Sequence, residues 1–215
     1  MNTTTQIESL QSLRTGEYDS AERAADALLA ESFARQIVPD AATADAVIQC
    51  VQRGFRSASL VLLLGYADRA RDLLQSLLAE YGDERVKLTT SSRPVPLRLP
   101  ATLALARLGD VIAERAVVHA LATSDAAQRV FVLNVLPYIL SPAQLAATVA
   151  LLSDVTEIPD DVPSGAKRRR VCDHALDACV SRFTLAPTFP LQPGGRYSDA
   201  ALAEVRKSAL ERANS

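Results

Sequence analysis

The sequence predicts an all-α fold, a short α-solenoid of antiparallel helix pairs with about 9–11 helices. Composition is the first reason. Alanine and leucine dominate an apolar content of 48%, glycine is scarce and aromatic residues make up only 5%, a mix that favours helix over the Val-, Ile-, Thr- and Tyr-rich make-up of strands. Repetition is the second. The stretch LRLPATLALARLGDVIAERAVVHALA, beginning at Leu97, and TSDAAQRVFVLNVLPYILSPAQLAATVALL, beginning at Thr123, lie over one another, with Arg98 over Arg129 and Leu99, Leu103 and Leu108 over Val130, Asn134 and Ile139. A fainter copy starts at Arg170. A helical unit recurring at roughly 30 to 45 residues buries its apolar face against its neighbours in a stack.

The expected organisation is one helical repeat domain over 1–215, with an amino-terminal helical half (1–82) and a repeat-bearing half (97–215). Its 215 residues suffice for a sizeable core without disulfides or metal. In order, a short amphipathic segment, Thr5 to Leu13, stops at Gly16. Asp19 offers a cap to AERAADALLAESFARQIV, which Pro39 ends. Asp40 caps a helix with Ala44, Val47, Ile48 and Val51 on its apolar stripe. Whether Leu60 to Leu64 begins a separate helix stays open. In ADRARDLLQSLLAEYG, Leu73, Leu74, Leu77 and Leu78 face one way and Arg69, Asp72, Gln75 and Glu80 the other; Gly82 sits where a left-handed cap is expected.

Asp83 to Pro96, with two prolines near its end, reads as an irregular loop. Leu97 to Leu108 is apolar on nearly every side and is expected to be buried. Gly109-Asp110 turns the chain into an antiparallel partner, Val111 to Ala122. Asp125 caps RVFVLNVLPYIL, in which Pro137 implies a kink, and Ser141-Pro142 opens AQLAATVALL. Ser153 to Ala166 is acidic and proline-containing, and runs into Lys167-Arg168-Arg169-Arg170. Arg170 to Phe183 is an amphipathic helix, with Cys172, Leu176, Cys179 and Phe183 on its apolar face. Arg170, Asp173, His174 and Asp177 lie towards the other face, read as a solvated, salt-bridged one. Pro187 to Tyr197 is irregular, and Ser198 caps a final, charge-rich helix.

Arg98 to Asp110 followed by Val111 to Leu121, and Asp125 to Leu136 with Arg129 near its start, resemble HEAT-type repeats; Arg170-Val171 with Ala175 and Ala178 is a third match. The resemblance covers roughly the second half, which it makes a HEAT-like half. Proline-rich insertions before Arg98 and Arg170, and Pro137 inside a helix, depart from the pattern. What the resemblance implies is a scaffold for protein partners; some such proteins bind nucleic acid and very few are enzymes.

No G-x-S-x-G, P-loop, dinucleotide fingerprint or His-Glu-x-x-His is present, so no catalytic machinery can be named and a non-enzyme is expected, without cofactor or metal. Of the two histidines, His119 reads as a core or interface residue; Asp173, His174 and Asp177 offer a metal one imidazole and two carboxylates, but the salt-bridged reading is preferred. Cys50, Cys172 and Cys179, an odd number among apolar neighbours, read as reduced core thiols and point to a cytoplasmic protein. No basic, apolar leader and no run long enough for a bilayer is seen, so no membrane association is expected. A net charge of −2 gives no broad attraction for nucleic acid. The Lys167–Arg170 basic cluster keeps a nucleic-acid-binding HEAT-like protein as the alternative.

The favoured expectation is a protein-binding module, most concretely an immunity or antitoxin-type protein sequestering a partner toxin. The irregular loops would form the recognition surface, with Arg93, Asp160, Asp161, Arg168 and Arg196 as its candidate partner-binding residues.

Overall fold

Helix signals written into the sequence open several of the elements seen in the computed structural model, which describes residues 11–35, 38–86, 94–138, 143–158, 168–192 and 194–213. The Asp40 carboxylate accepts the Thr43 N–H at 2.8 Å, Asp125 accepts that of Gln128 at 2.9 Å, and the Ser198 hydroxyl accepts that of Ala201 at 3.2 Å. Each satisfies an amide that the first turn leaves without a partner. The protein is all-α, and among the described residues two short antiparallel pairings accompany the helices. No helix of the described residues is long and apolar enough to cross a membrane.

The chain forms two compact units, Met1–Glu114 and Arg115–Ser215. The first holds α1 (residues 11–15), α2 (Tyr18–Arg35), α3 (Ala41–Gln52), α4 (Ala58–Leu64), a 3-10 turn leading into α5 (Arg71–Tyr81), β1 (Arg85–Val86), β2 (Val95–Pro96) and α6 (Arg98–Arg107). The boundary falls within α7 (Val111–Thr123). The second unit continues with α8 (Ala126–Val135), α9 (Ala143–Ala150), α10 (Val171–Phe183) and α11 (Asp199–Ala213); 3-10 turns extend α8 and α9.

In the first unit the apolar run Leu60 to Leu64 is a separate helix, opened by Ser57, whose hydroxyl accepts the Leu60 N–H at 3.3 Å. All seven residues of α4 are buried, and α2, α3 and α6 pack around it. Burying five consecutive large apolar side chains on a two-turn helix requires neighbours on every side, so this run is the unit's hub. On α5, Leu74 and Leu77 are buried while Arg69, just before it, and Asp72, Gln75 and Glu80 are exposed, as the two-faced pattern requires. Gly82 differs from expectation. Its φ of −53° is ordinary right-handed helix, and its missing side chain is explained by crowding, since a Cβ there would lie 2.7 Å from the Leu78 carbonyl oxygen. The left-handed turn belongs to Gly109, with φ +79°, where Asp110 opens α7 by accepting the Ile112 and Ala113 N–H groups.

Asp83 to Pro96 is not wholly irregular: β1 pairs with β2, Arg85 opposite Pro96 and Val86 opposite Val95. Two-residue strands carry no alternation a sequence could display. The helix expected over Leu97 to Leu108 is α6, and Leu99, Leu103 and Leu105 are buried in it as foreseen. By contrast α7 is largely exposed. Ala113, Val117 and Leu121 form a narrow buried stripe, whereas Val111 and Ile112 stand 58% and 81% exposed. His119 is also exposed, so of its two readings, core or interface residue, the core one is corrected.

The hub of the second unit is α10, packed against α8, α9 and α11 and against both 3-10 turns. Pro137 falls in the 3-10 turn Leu136–Tyr138 that ends α8, so the chain changes helix type where a kink was expected. Ser141 and Pro142 lie outside the described residues. Cys50, Cys172 and Cys179 are free and fully buried; burial pushes the thiol of Cys179 up to about 12 and those of the other two upwards.

Candidate partner-binding site

The hub position of α10 decides the fate of its polar face. Arg170, Asp173 and His174 were read as solvated; they are 5%, 0% and 9% exposed. The face is covered by the segment between α10 and α11, which the left-handed Thr184, φ 52°, turns away from the helix end. The correction has a simple cause: opposite charges spaced i, i+3 can neutralise one another inside a fold as well as on its surface.

Asp173 is the centre of this arrangement. Its carboxylate accepts the Arg170 backbone N–H at 2.7 Å, the Arg170 guanidinium at 3.2 and 3.0 Å, and the Tyr197 N–H at 3.0 Å. The Arg170 guanidinium also donates to the Tyr197 carbonyl at 2.7 Å. Burial by itself would raise the Asp173 carboxyl, but the hydrogen bonds from Arg170 and Tyr197, with the Arg170 charge, outweigh it and hold the group below the usual carboxylate range.

One turn further along, Asp177 binds the Arg169 guanidinium and accepts the Tyr197 hydroxyl at 2.6 Å. Arg169 also donates to the Gly195 carbonyl at 3.0 Å. The His174 ring lies 3.3 Å from the Asn134 side-chain oxygen and 3.5 Å from Arg169. Burial, then the hydrogen bond to Asp177, pushes the Tyr197 phenol up to about 12. Tyr197 is thereby fixed through its N–H, carbonyl and hydroxyl, and its ring makes an edge contact with Phe189 at 5.9 Å between centroids.

The acidic loop is closed at its base by a second antiparallel pairing, which no local signal announced. Glu157 stands opposite Arg170, the Ile158 N–H donates to the Arg169 carbonyl at 2.9 Å, and the Val171 N–H donates to the Thr156 carbonyl at 3.0 Å. Asp154 begins this stretch, held by the Arg129 guanidinium, and accepts the Cys172 N–H at its own carbonyl at 2.9 Å.

Of the residues proposed from sequence, Arg93, Asp160 and Asp161 lie outside the described residues, as does Lys167. Arg168 is exposed. Arg196 forms an ion pair with Glu157 at 3.0 Å. The Arg169 guanidinium, next in the chain to Arg168, donates to the carbonyl of Gly195, which precedes Arg196. Within the described part of the basic run, residues 168 and 169 are irregular, and Arg169 and Arg170 are engaged by Asp177 and Asp173. Sequence reasoning missed Glu157 and Tyr197. Tyr197 was named only as the end of a loop, and its role depends on contacts with residues 20 to 27 positions earlier in the chain.

A cleft of about 250 Å³ lies between Leu185–Pro187 and the α11 residues Glu204, Val205, Ser208 and Arg212; neither histidine lines it. No group of three or more metal-ligating side chains occurs among the described residues. Asp173 and Asp177, weighed above as ligands beside His174, are occupied by arginine and Tyr197. Compared with protein-family models, with curated proteins and with solved structures, the chain matches none.

Proposed function

We propose that this chain is a non-catalytic protein-binding module, most concretely an immunity or antitoxin-type protein that sequesters a partner toxin. The observation carrying the reading is the convergence, in the second unit, of the base of the acidic loop (Asp154–Ile158 and residues 168–170) with the segment around Gly195–Tyr197. A buried charge pair fixes both, so a partner meets loop bases already ordered and the entropy lost on association is smaller. The polar groups that sequence reasoning weighed for chemistry, Asp173, Asp177 and His174, are instead engaged in this internal network.

The same proposal extends to the architecture, a short HEAT-like α-solenoid. The left-handed Gly109 turn and the Asp125 cap agree with the repeat pattern. An experimental structure in which successive helix pairs stack with a constant rotation is its test. The nucleic-acid alternative draws less support, since Arg169 and Arg170 are committed to carboxylates; salt-dependent retention of a DNA or RNA duplex at low ionic strength would favour it.

Purification of the tagged chain from its native cells tests the main reading. One stoichiometric protein should accompany the wild type and be lost from Arg168→Glu. Purification without any stoichiometric protein would sink the proposal.

A further inference from the structure

Glu204 is a carboxylate without a counter-charge. Its two oxygens accept the Thr188 N–H and the Thr188 hydroxyl, each at 2.7 Å, and these bonds hold the carboxyl below the usual carboxylate range. No cation among the described residues pairs with it. It lines the cleft of about 250 Å³ in one row with Ser208 and Arg212 on α11. Residues four apart on a helix share a face and rise about 6 Å per step, so the carboxylate and the guanidinium start from Cα atoms about 12 Å apart. Helical side chains lean alike towards the N-terminus, and the two head groups keep roughly that spacing. Ser208 lies between them.

The opposite wall is Leu185, Ala186 and Pro187, carried across α11 by Thr184. At φ 52° Thr184 holds a left-handed conformation uncommon for a β-branched residue, fixed by its own N–H and that of Leu185 on the Val180 carbonyl. Val205, 1% exposed, adds apolar surface from the helix side. A ligand matching this lining carries an ammonium for Glu204, a carboxylate for Arg212 and small apolar groups between them. A guanidinium has five N–H donors, so the interaction that Arg212 already makes within the protein leaves others for a ligand.

Length then selects the ligand class. A charge-assisted hydrogen bond of about 2.8 Å at each end leaves about 6 Å to be spanned. The backbone of a dipeptide, from its ammonium nitrogen to its carboxylate carbon, covers about that distance. A single amino acid falls short of one end, and a tripeptide is longer by about 3.5 Å. We propose that the cleft binds a free dipeptide of small apolar residues, with its ammonium on Glu204, its carboxylate on Arg212 and its peptide group beside the Ser208 hydroxyl.

The test titrates the whole isotope-labelled chain with alanyl-valine and follows its amide resonances. Saturable shifts at Leu185, Ala186, Glu204, Val205 and Ser208 are expected. Acetylating the ammonium, amidating the carboxylate, or replacing the dipeptide by alanine or trialanine should each weaken binding at least about tenfold. The two ends are then assigned by pairing variant with ligand. In Glu204→Gln the free and acetylated dipeptides should bind alike, and in Arg212→Gln the free and amidated ones should. No saturation at the cleft by about 10 mM dipeptide, or equal binding of the blocked forms to the wild type, overturns the proposal without depending on how any variant folds. A dipeptide that binds while no protein co-purifies leaves this site standing and sinks only the protein-binding reading.

Discussion

Asp173 ties Arg170 and Tyr197 together inside the second unit, because four hydrogen bonds end on a carboxylate that solvent does not reach. Replacing it by alanine leaves the Arg170 guanidinium, whose side chain is 7% exposed, to the more distant and exposed Asp199 carboxylate at 3.8 Å. A loss of about 3–5 kcal/mol is expected, measurable by denaturant unfolding. The pH dependence follows from the lowered carboxyl. Its contribution is present above the ordinary aspartate range and is lost as pH falls through the folded-state value, so acid destabilisation should be shallower in Asp173→Asn than in the wild type. Tyr197 behaves oppositely. Its phenol, raised to about 12, adds stability that is complete below the ordinary tyrosine value near 10 and disappears as pH rises through the folded one. In an ultraviolet alkaline titration Tyr197 should ionise late, and Tyr197→Phe should remove that late step at a cost of about 1 kcal/mol. None of this was legible in local sequence. Charged residue types at helical spacing suggest a wet face, and the residue that covers them, Tyr197, arrives after an irregular stretch that periodicity cannot place. His119 is the converse: its apolar neighbours suggested burial, yet only a narrow stripe of α7 is covered.

At the scale of the element, what could be read were the groups that act on their own neighbours. Asp40, Asp125 and Ser198 begin helices because a side-chain oxygen three residues upstream is enough to satisfy an amide. Ser57 does the same for α4, whose start the apolar run Leu60 to Leu64 left open. Ser57→Ala and Asp125→Ala should each destabilise by about 1 kcal/mol in thermal or chemical unfolding. The two antiparallel pairings were invisible for a different reason: each is set by chain ends meeting across a loop, and neither is long enough to show a period of two. Burial of α6 was readable from its nearly continuous apolar surface. Leu103, fully buried there, should not tolerate a charge, and Leu103→Asp should abolish cooperative unfolding and reduce helical circular dichroism. A variant that keeps both would contradict the burial assigned to α6.

At the scale of the molecule, composition announced the all-α class, and the centre of each unit proved harder to find. The regular stretch from Arg98 to Leu140 drew attention by its repetition, whereas the helices around which the units gather are α4 and α10. A hub is defined by how many neighbours it has, and a sequence lists neighbours only along the chain. The brief apolar run at Leu60 to Leu64 did carry the signal, being apolar on all sides, but α10 hid its role behind its charges.

The rungs that pair Arg85 with Pro96 and Glu157 with Arg170 also separate two kinds of evolutionary freedom. Because each closes its loop at the base, residues inserted beyond the rung change only the length of a closed loop, and doubling that length costs about 0.6 kcal/mol of closure entropy. Length and sequence there can diverge between descendants of one ancestor while the helices stay fixed. An epitope tag or a new recognition sequence introduced beyond either rung should therefore leave the unfolding midpoint nearly unchanged.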